Sequence, residues 1–240
     1  MILFLKKSSV FLLCIIILCT MTIAGLAFGS VCAPTSQNNS FGKVVIIDAG
    51  HGEPDGGAVA SDGTQEAHLN LMVANKLNNL FLQSDIKTAM TRTTEQGIHD
   101  ADAKNITQKK KSDMRKRKEI QENLDADIFC SIHMNLFSQS KYYGAQVVYD
   151  KANDESKLLA ECIQSSLKEN VDETNNRTPM AVNGSIYLLK NTKIPAVIVE
   201  CGFLSNENEL ALLKTDEYQS KIAWAIFKGI EKYYGIKNPQ

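Results

Sequence analysis

Three short apolar runs organise this chain, and each delivers a polar residue at its end. Val44–Ile47 leads through Asp48, Ala49 and Gly50 to His51, Ile128–Ile132 leads to His133, and Ala196–Val199 leads to Glu200. Runs of this length and content predict strands buried in a sheet. Between them the period lengthens. Leu69, Val73, Leu77 and Leu80 predict a helix from Gln65 to about Leu82. A basic helix is expected over Lys109–Leu124, an amphipathic one over Glu155–Leu167, and a helical end with Ile222, Ile226, Ile230 and Tyr233 on one face. Ile86–Thr91, Tyr142–Tyr149 and Ile186–Leu189 complete the expected strands, with loops over Gly50–Thr64 and Thr93–Thr107 and a polar connection over Val171–Pro179. Strands alternating with helices predict an α/β fold, a mostly parallel twisted sheet of about six strands flanked by helices on both faces in a single domain.

The first stretch follows a different pattern. Met1–Lys7 is short and basic, and Val10–Phe28 carries no charge. Residues 1–29 therefore read as a signal peptide or signal-anchor, 30–42 as a polar linker and 43–236 as the catalytic domain. The length of the span favours retention in the membrane, while Ala27-Phe28-Gly29 offers a tolerable cleavage site. With 240 residues in all, enough chain remains for one ordinary core. The formal charge of −1 becomes more negative without Lys6 and Lys7, so nucleic acid is not an expected partner. Cys14, Cys19 and Cys32 lie in or beside the leader. Cys130, Cys162 and Cys201, an odd set without CxxC spacing, make neither a disulfide framework nor a thiolate zinc knot.

Ligands in open α/β sheets bind outside the carboxyl ends of the strands, so His51, His133 and Glu200 can converge on one crevice. Glu66 joins them from a helix. It lies in phase with the apolar stripe, where a carboxylate is costly unless something compensates it. A metal ion would do so; a first-turn acid favoured by the helix dipole is the other reading. Two histidines, a carboxylate and a second glutamate outside the ligand set fit catalytic zinc, which uses three protein ligands and lowers the pKa of a water towards ~7. Zn2+ is thus expected on His51, Glu66 and His133, with Glu200 taking the proton from water and returning it to the leaving nitrogen. His68 and His99 are expected outside the site. Strand alternation turns Cys201 away from Glu200 and gives Cys130 the opposite parity to His133, so both thiols are expected to be buried and structural.

The stretches Asp48-Ala49-Gly50-His51-Gly52-Glu53-Pro54-Asp55-Gly56-Gly57-Ala58, Glu66 with Leu69-Asn70, Ser131-Ile132-His133-Met134-Asn135, and Val199-Glu200-Cys201-Gly202-Phe203-Leu204-Ser205-Asn206 together resemble the zinc-dependent N-acetylmuramoyl-L-alanine amidases. The resemblance runs over nearly all of Val44 to Tyr234. It implies a mostly parallel sheet between helices, zinc on the matching His51, Glu66 and His133, and a catalytic Glu200. The implied reaction cleaves the amide between N-acetylmuramic acid and L-alanine of the peptidoglycan stem peptide. Compactness, the leader and the run Asn175-Asn176-Arg177-Thr178-Pro179 resemble the spore-cortex branch, whose members prepare muramic-δ-lactam formation. Ala49 and Glu53 depart from frequent residues of the family.

Glu53, Arg117 and Asn135 are candidates for contacts behind the ligands or with substrate. The phase of Arg117, beside Met114, Ile120 and Leu124, predicts a half-buried side chain. Lys109, Lys110, Lys111, Arg115, Lys116 and Lys118 read as a solvated face, or alternatively as a contact to anionic wall polymer or lipid headgroups. The expected partners are peptidoglycan and the membrane through the N-terminal segment, with an accessory protein as a further candidate. A zinc carboxypeptidase, a deacetylase and a catalytically silent wall-binding module remain open alternatives.

Overall fold

A computed structural model describes residues 42–84 and 86–237, which fall in one compact unit. The expected leader with its Val10–Phe28 span, and the linker up to residue 41, lie outside the described residues. Along the described chain the elements are β1 (Val44–Ala49), α1 (Glu66–Phe81), β2 (Lys87–Met90), α2 (Ile106–Asn123), β3 (Ile128–Asn135), β4 (Gln146–Asp150), α3 (Asp154–Asn170), β5 (Met180–Val182), β6 (Ala196–Phe203), α4 (Glu207–Leu213) and α5 (Asp216–Lys237). Among the described residues no helix is long and apolar enough to cross a membrane.

The strands make one sheet in the order β2-β1-β3-β6-β4-β5. β2, β1, β3 and β6 are parallel, β4 runs antiparallel to β6, and β5 is parallel to β4. The apolar runs seen in the sequence are the central strands, and Val45, Ile46, Ile47, Ile128, Phe129, Val197 and Val199 have no exposed surface. Alternation sorts them onto two faces. Val45, Ile47, Val197 and Val199 pack against Leu77 of α1, Ile163 of α3 and Ile226 of α5. Ile46, Phe129, Val148 and Ile198 pack against Met114 and Ile120 of α2 and against Leu188 and Leu189. The α/β fold with a mostly parallel sheet and helices on both faces is as the sequence predicts.

Four local expectations change. Ile186–Leu189 is a turn rather than a strand, with the Lys190 and Leu189 amides donating to the Ile186 carbonyl at 3.0 and 3.1 Å. Its apolar residues serve the second face, where burying Leu188 and Leu189 stabilises by roughly 3–6 kcal/mol before entropy is counted. The sixth strand is instead β5, an edge strand within a polar stretch. β4 starts at Gln146 rather than Tyr142, because Gly144 adopts φ +89° and interrupts the extended backbone. α2 starts three residues early, where the Asn105 side chain caps the Gln108 amide at 2.9 Å.

Candidate active site

β1 ends beside Ile132 of β3, which runs on through His133 to Asn135, and α1 begins close by, so three chain segments meet at one corner of the sheet. His51 follows β1 with φ 60°, a left-handed conformation that costs a residue with a side chain and turns the imidazole back over the strand end. Glu66, the first residue of α1, is only 3 % exposed. Its Oε2 accepts from the Ala58 amide at 2.8 Å and lies 3.3 Å from His51 Nε2, while its Oε1 is 2.8 Å from His133 Nδ1. One donor atom from each of His51, Glu66 and His133 lies within 4.8 Å of the others.

Both imidazoles are oriented by their surroundings. His51 Nδ1 is 3.0 Å from Asp55 Oδ2, which fixes a proton on Nδ1 and turns Nε2 towards Glu66, where a metal would take the place of its proton. Asp55 is itself anchored by the Gly57 amide at 3.1 Å and by Lys110 Nζ at 2.7 Å. His133 lies against Gly50 so closely that a Cβ there would fall 2.3 Å from Nε2, so Nδ1 is the nitrogen that faces Glu66. At Gly57, φ is +69° and a Cβ would come 2.6 Å from Glu66 Oε2. Neither position accepts a side chain while the cluster keeps this shape.

The electrostatics favour a cation. Burial pulls the pKa of His51 down, but hydrogen bonds and charge from Asp55 and Glu66 outweigh it and raise it to about 9. Burial likewise works against ionised Glu66, yet the two imidazoles hold its carboxyl well below the usual range. In the absence of a metal the corner holds onto positive charge as protons. Ligands ~2.0–2.1 Å from a tetrahedral zinc stand roughly 3.3 Å apart, close to the spacings within this cluster. The donor set therefore fits zinc.

Glu200 occupies the neighbouring strand, paired in register with His133 across β3 and β6. Its Oε2 is buried and accepts no hydrogen bond among the described residues, an arrangement that costs free energy unless something is meant to meet it. Burial raises its pKa, assisted by the Glu66 charge and opposed by the two imidazoles. A carboxylate poised to take up a proton thus faces the corner that attracts cations.

A profile of the family described as N-acetylmuramoyl-L-alanine amidase matches residues 45–232. The chain belongs to this family. It is therefore an amide hydrolase acting on the N-acetylmuramoyl-L-alanine bond, which removes the carboxypeptidase, deacetylase and silent-module alternatives. The germination-specific N-acetylmuramoyl-L-alanine amidase of Bacillus subtilis (strain 168) is 34% identical over 196 residues, covering 82% of this chain and 81% of that protein. The structure of the CwlD amidase from Clostridioides difficile in complex with the GerS lipoprotein matches with TM-score 0.79 and 46% identity, covering 81% of this chain and 99% of that one. An N-acetylmuramoyl-L-alanine amidase from Clostridium difficile 630 matches with TM-score 0.70 and 30% identity over 82% of this chain and 98% of that one.

Around the corner of this amidase, other expectations fare differently. Arg117 is fully buried at 1 % exposure rather than half-buried; it pairs with Asp48 and Asp113 and donates to the carbonyls of Ala49 and His51. Glu53 is exposed and accepts from Gln96 Nε2 at 2.7 Å, and the Asn135 carbonyl accepts from the Leu204 amide at 2.8 Å. Lys118 is buried rather than solvated, donating to the Lys190 carbonyl and to Gln121, and Lys110 is committed to Asp55. His68 pairs with Glu95 and His99 contacts Asp100, so neither joins the cluster. Cys130 and Cys201 are buried free thiols whose pKa burial pushes up, to about 12 for Cys130.

Two participants are absent from the sequence-based set. Asp55 is one. Arg92 is the other, buried at the end of β2 and donating to the carbonyls of Ala49, Gly50, Ala67 and Thr94. Its position directly after an expected strand is the only signal the sequence offers.

Proposed function

We propose that this amidase is a zinc-dependent peptidoglycan hydrolase in which His51, Glu66 and His133 hold the metal and Glu200 is the catalytic acid and base. The buried Glu200 oxygen without a hydrogen-bond donor, beside a cluster that attracts cations, carries the reading. When bound, zinc supplies a Lewis acid that polarises the scissile carbonyl and lowers the pKa of water. Glu200 accepts the proton of the attacking water at its carboxylate and delivers it to the leaving alanine nitrogen. Asp55 keeps the His51 proton on Nδ1, and Arg92 and Arg117 hold the carbonyls of residues 49–51 so that the imidazole stays aimed.

The substrate is the stem-peptide amide of muramic acid, and the likeness to the germination-specific and CwlD amidases supports a role in spore-cortex maturation, upstream of muramic-δ-lactam formation. The chain acts outside the cytoplasm, with residues 1–29 retained as a membrane anchor, 30–42 as linker and 43–236 as the catalytic domain. An accessory lipoprotein fits as a partner, since the CwlD structure is a complex with one.

The test is digestion of purified muropeptides by the full-length chain in detergent with zinc. Release of intact stem peptides, abolished by a chelator and restored by zinc, is the expected result. Intact muropeptides at saturating zinc, with an accessory lipoprotein supplied, would overturn the reading. Spores lacking the protein should be free of muramic-δ-lactam, and unchanged lactam content would overturn the cortex role.

A further inference from the structure

The crevice continues past Glu200. His133 pairs with Glu200 across β3 and β6, and Glu200 pairs with Gln146 across β6 and β4. Residues directly opposite on neighbouring strands project from the same face, so the three side chains form a row along the mouth of the sheet. Gln146 in turn grips the segment before β5. Its Oε1 accepts from Arg177 Nη1 at 3.2 Å and its Nε2 donates to the Thr178 carbonyl at 2.9 Å. Arg177 Nε donates to the Tyr143 carbonyl at 2.7 Å, and the guanidinium lies 4.4 Å over the Phe203 ring.

Arg177 is fixed in place, yet it meets no anion among the described residues. Arg115 and Arg117 are paired with carboxylates, and buried Arg92 spends its donors on carbonyls. Among the described residues no carboxylate lies at ion-pair distance from Arg177, and its Nη2 makes no hydrogen bond. Glu209 is close enough to feel its charge, but the Glu209 oxygens accept from the Gly144 and Phe203 amides instead. A held, half-exposed guanidinium with an uncommitted N–H is a receptor for a planar anion such as a carboxylate.

We propose that Arg177, positioned by Gln146, binds the free carboxylate carried by the second residue of the stem peptide and so selects which stems are cleaved. This rests on the zinc amidase reading above. Neighbouring strands lie ~4.8 Å apart, so Gln146 stands about 10 Å from the His133 strand. A peptide extended along the row advances ~3.3 Å per residue, so two residues cover about 7 Å and a carboxylate–guanidinium hydrogen bond of ~3 Å spans the remainder to the Gln146 strand. Isoglutamate at that position carries the charge, whereas isoglutamine does not.

The experiment compares two synthetic muramyl tripeptides that differ only in isoglutamate or isoglutamine at the second residue, using the full zinc-loaded chain. The wild type should cleave the acid with kcat/KM roughly 10–100-fold above the amide, chiefly through KM. Arg177→Met should bring that ratio to about one. Gln146→Leu keeps the guanidinium but removes its acceptor, and should lower the ratio in the same direction even where Arg177→Met fails to fold. Equal cleavage of both substrates by the wild type, or an undiminished ratio in either folded variant, overturns the proposal. Cleavage of neither substrate by the wild type, with an accessory lipoprotein supplied, overturns the zinc amidase reading itself, and the two failures are thereby distinct.

Discussion

Asp55→Asn probes how much of the candidate metal centre depends on a residue outside the proposed ligand set. Asp55 uses both oxygens as acceptors, Oδ2 for His51 Nδ1 at 3.0 Å and Oδ1 for the Gly57 amide and Lys110 at 3.1 and 2.7 Å. Asparagine has the same shape but only one acceptor oxygen. If that oxygen faces His51, the amide NH2 meets the Gly57 N–H and the Lys110 ammonium, donor against donor. If it faces Gly57, the NH2 meets Nδ1 and drives the ring proton onto Nε2, the atom that faces Glu66 and would bind the metal. Either arrangement loses a contact and removes a charge that favours a cation. Losing such support behind a histidine ligand weakens zinc binding by about 10–100-fold, or roughly 1.4–2.7 kcal/mol. Competition titration against a chromogenic chelator reads this directly, with a thermal melt of the metal-free protein as the control for folding. An affinity within about twofold of wild type, in a variant that melts normally, would refute the reasoning.

Further outcomes follow from neighbouring groups. Glu200→Gln keeps the shape but cannot take up a proton, so turnover should fall by roughly 10²–10⁴ while zinc content by metal analysis is retained; a loss under tenfold at saturating zinc would assign the base elsewhere, with Glu53 the first suspect. Removing Arg117 as Arg117→Met leaves Asp48 buried without its ion pair and should destabilise the fold by about 3–5 kcal/mol in urea melts; a change below about 1 kcal/mol would contradict the pairing. Burial opposes the charge on Asp48, but Arg117, Ser131 and Thr91 prevail and hold its pKa below the ordinary value of 3.8. The unfolded chain therefore binds that proton more readily than the folded one, so Asp48 contributes stability above that pH that is lost as the pH falls through its folded pKa. In Asp48→Asn the decline in stability between about pH 5 and about pH 3 should be shallower than in wild type, and an equally steep decline would exclude Asp48 as a source.

Much of this site was legible because apolar runs and helical phase are local properties, although β3 and β6 run on past His133 and Glu200 to Asn135 and Phe203 rather than ending at them. His51, His133 and Glu200 each close an apolar run, and Glu66 falls in step with Leu69 and Val73; the structure brings all four to one corner. Asp55 and Arg92 were not legible in the same way, because both act on backbone or ring atoms supplied by other segments. Nothing in a loop aspartate four residues after a histidine shows that it bends back to meet it. Arg117 was found with its burial understated, since periodicity reports the face of a helix and not the two aspartates waiting beneath it. The failure at Ile186–Leu189 has another origin. An apolar run records a demand for burial, and a turn closing the second face meets that demand as well as a strand does. β5, three residues long and exposed at Met180, leaves no periodic trace.

The reversal of β4 relative to β6 has an evolutionary consequence. The strands that bear the candidate ligands end at the mouth, whereas β4 begins there, so the chain on the far bank arrives by a separate route through residues 136–145 and 171–179. Those segments take no part in the register that aligns His133 with Glu200, and they are tied to one another and to the end of β6 through Asn175, Gly144 and Glu209. On the roles proposed for Glu200 and Arg177, reaction chemistry and substrate preference sit on separate stretches of chain, and grafting these two segments together between relatives offers a route to retarget the hydrolase while its reactive corner is left untouched.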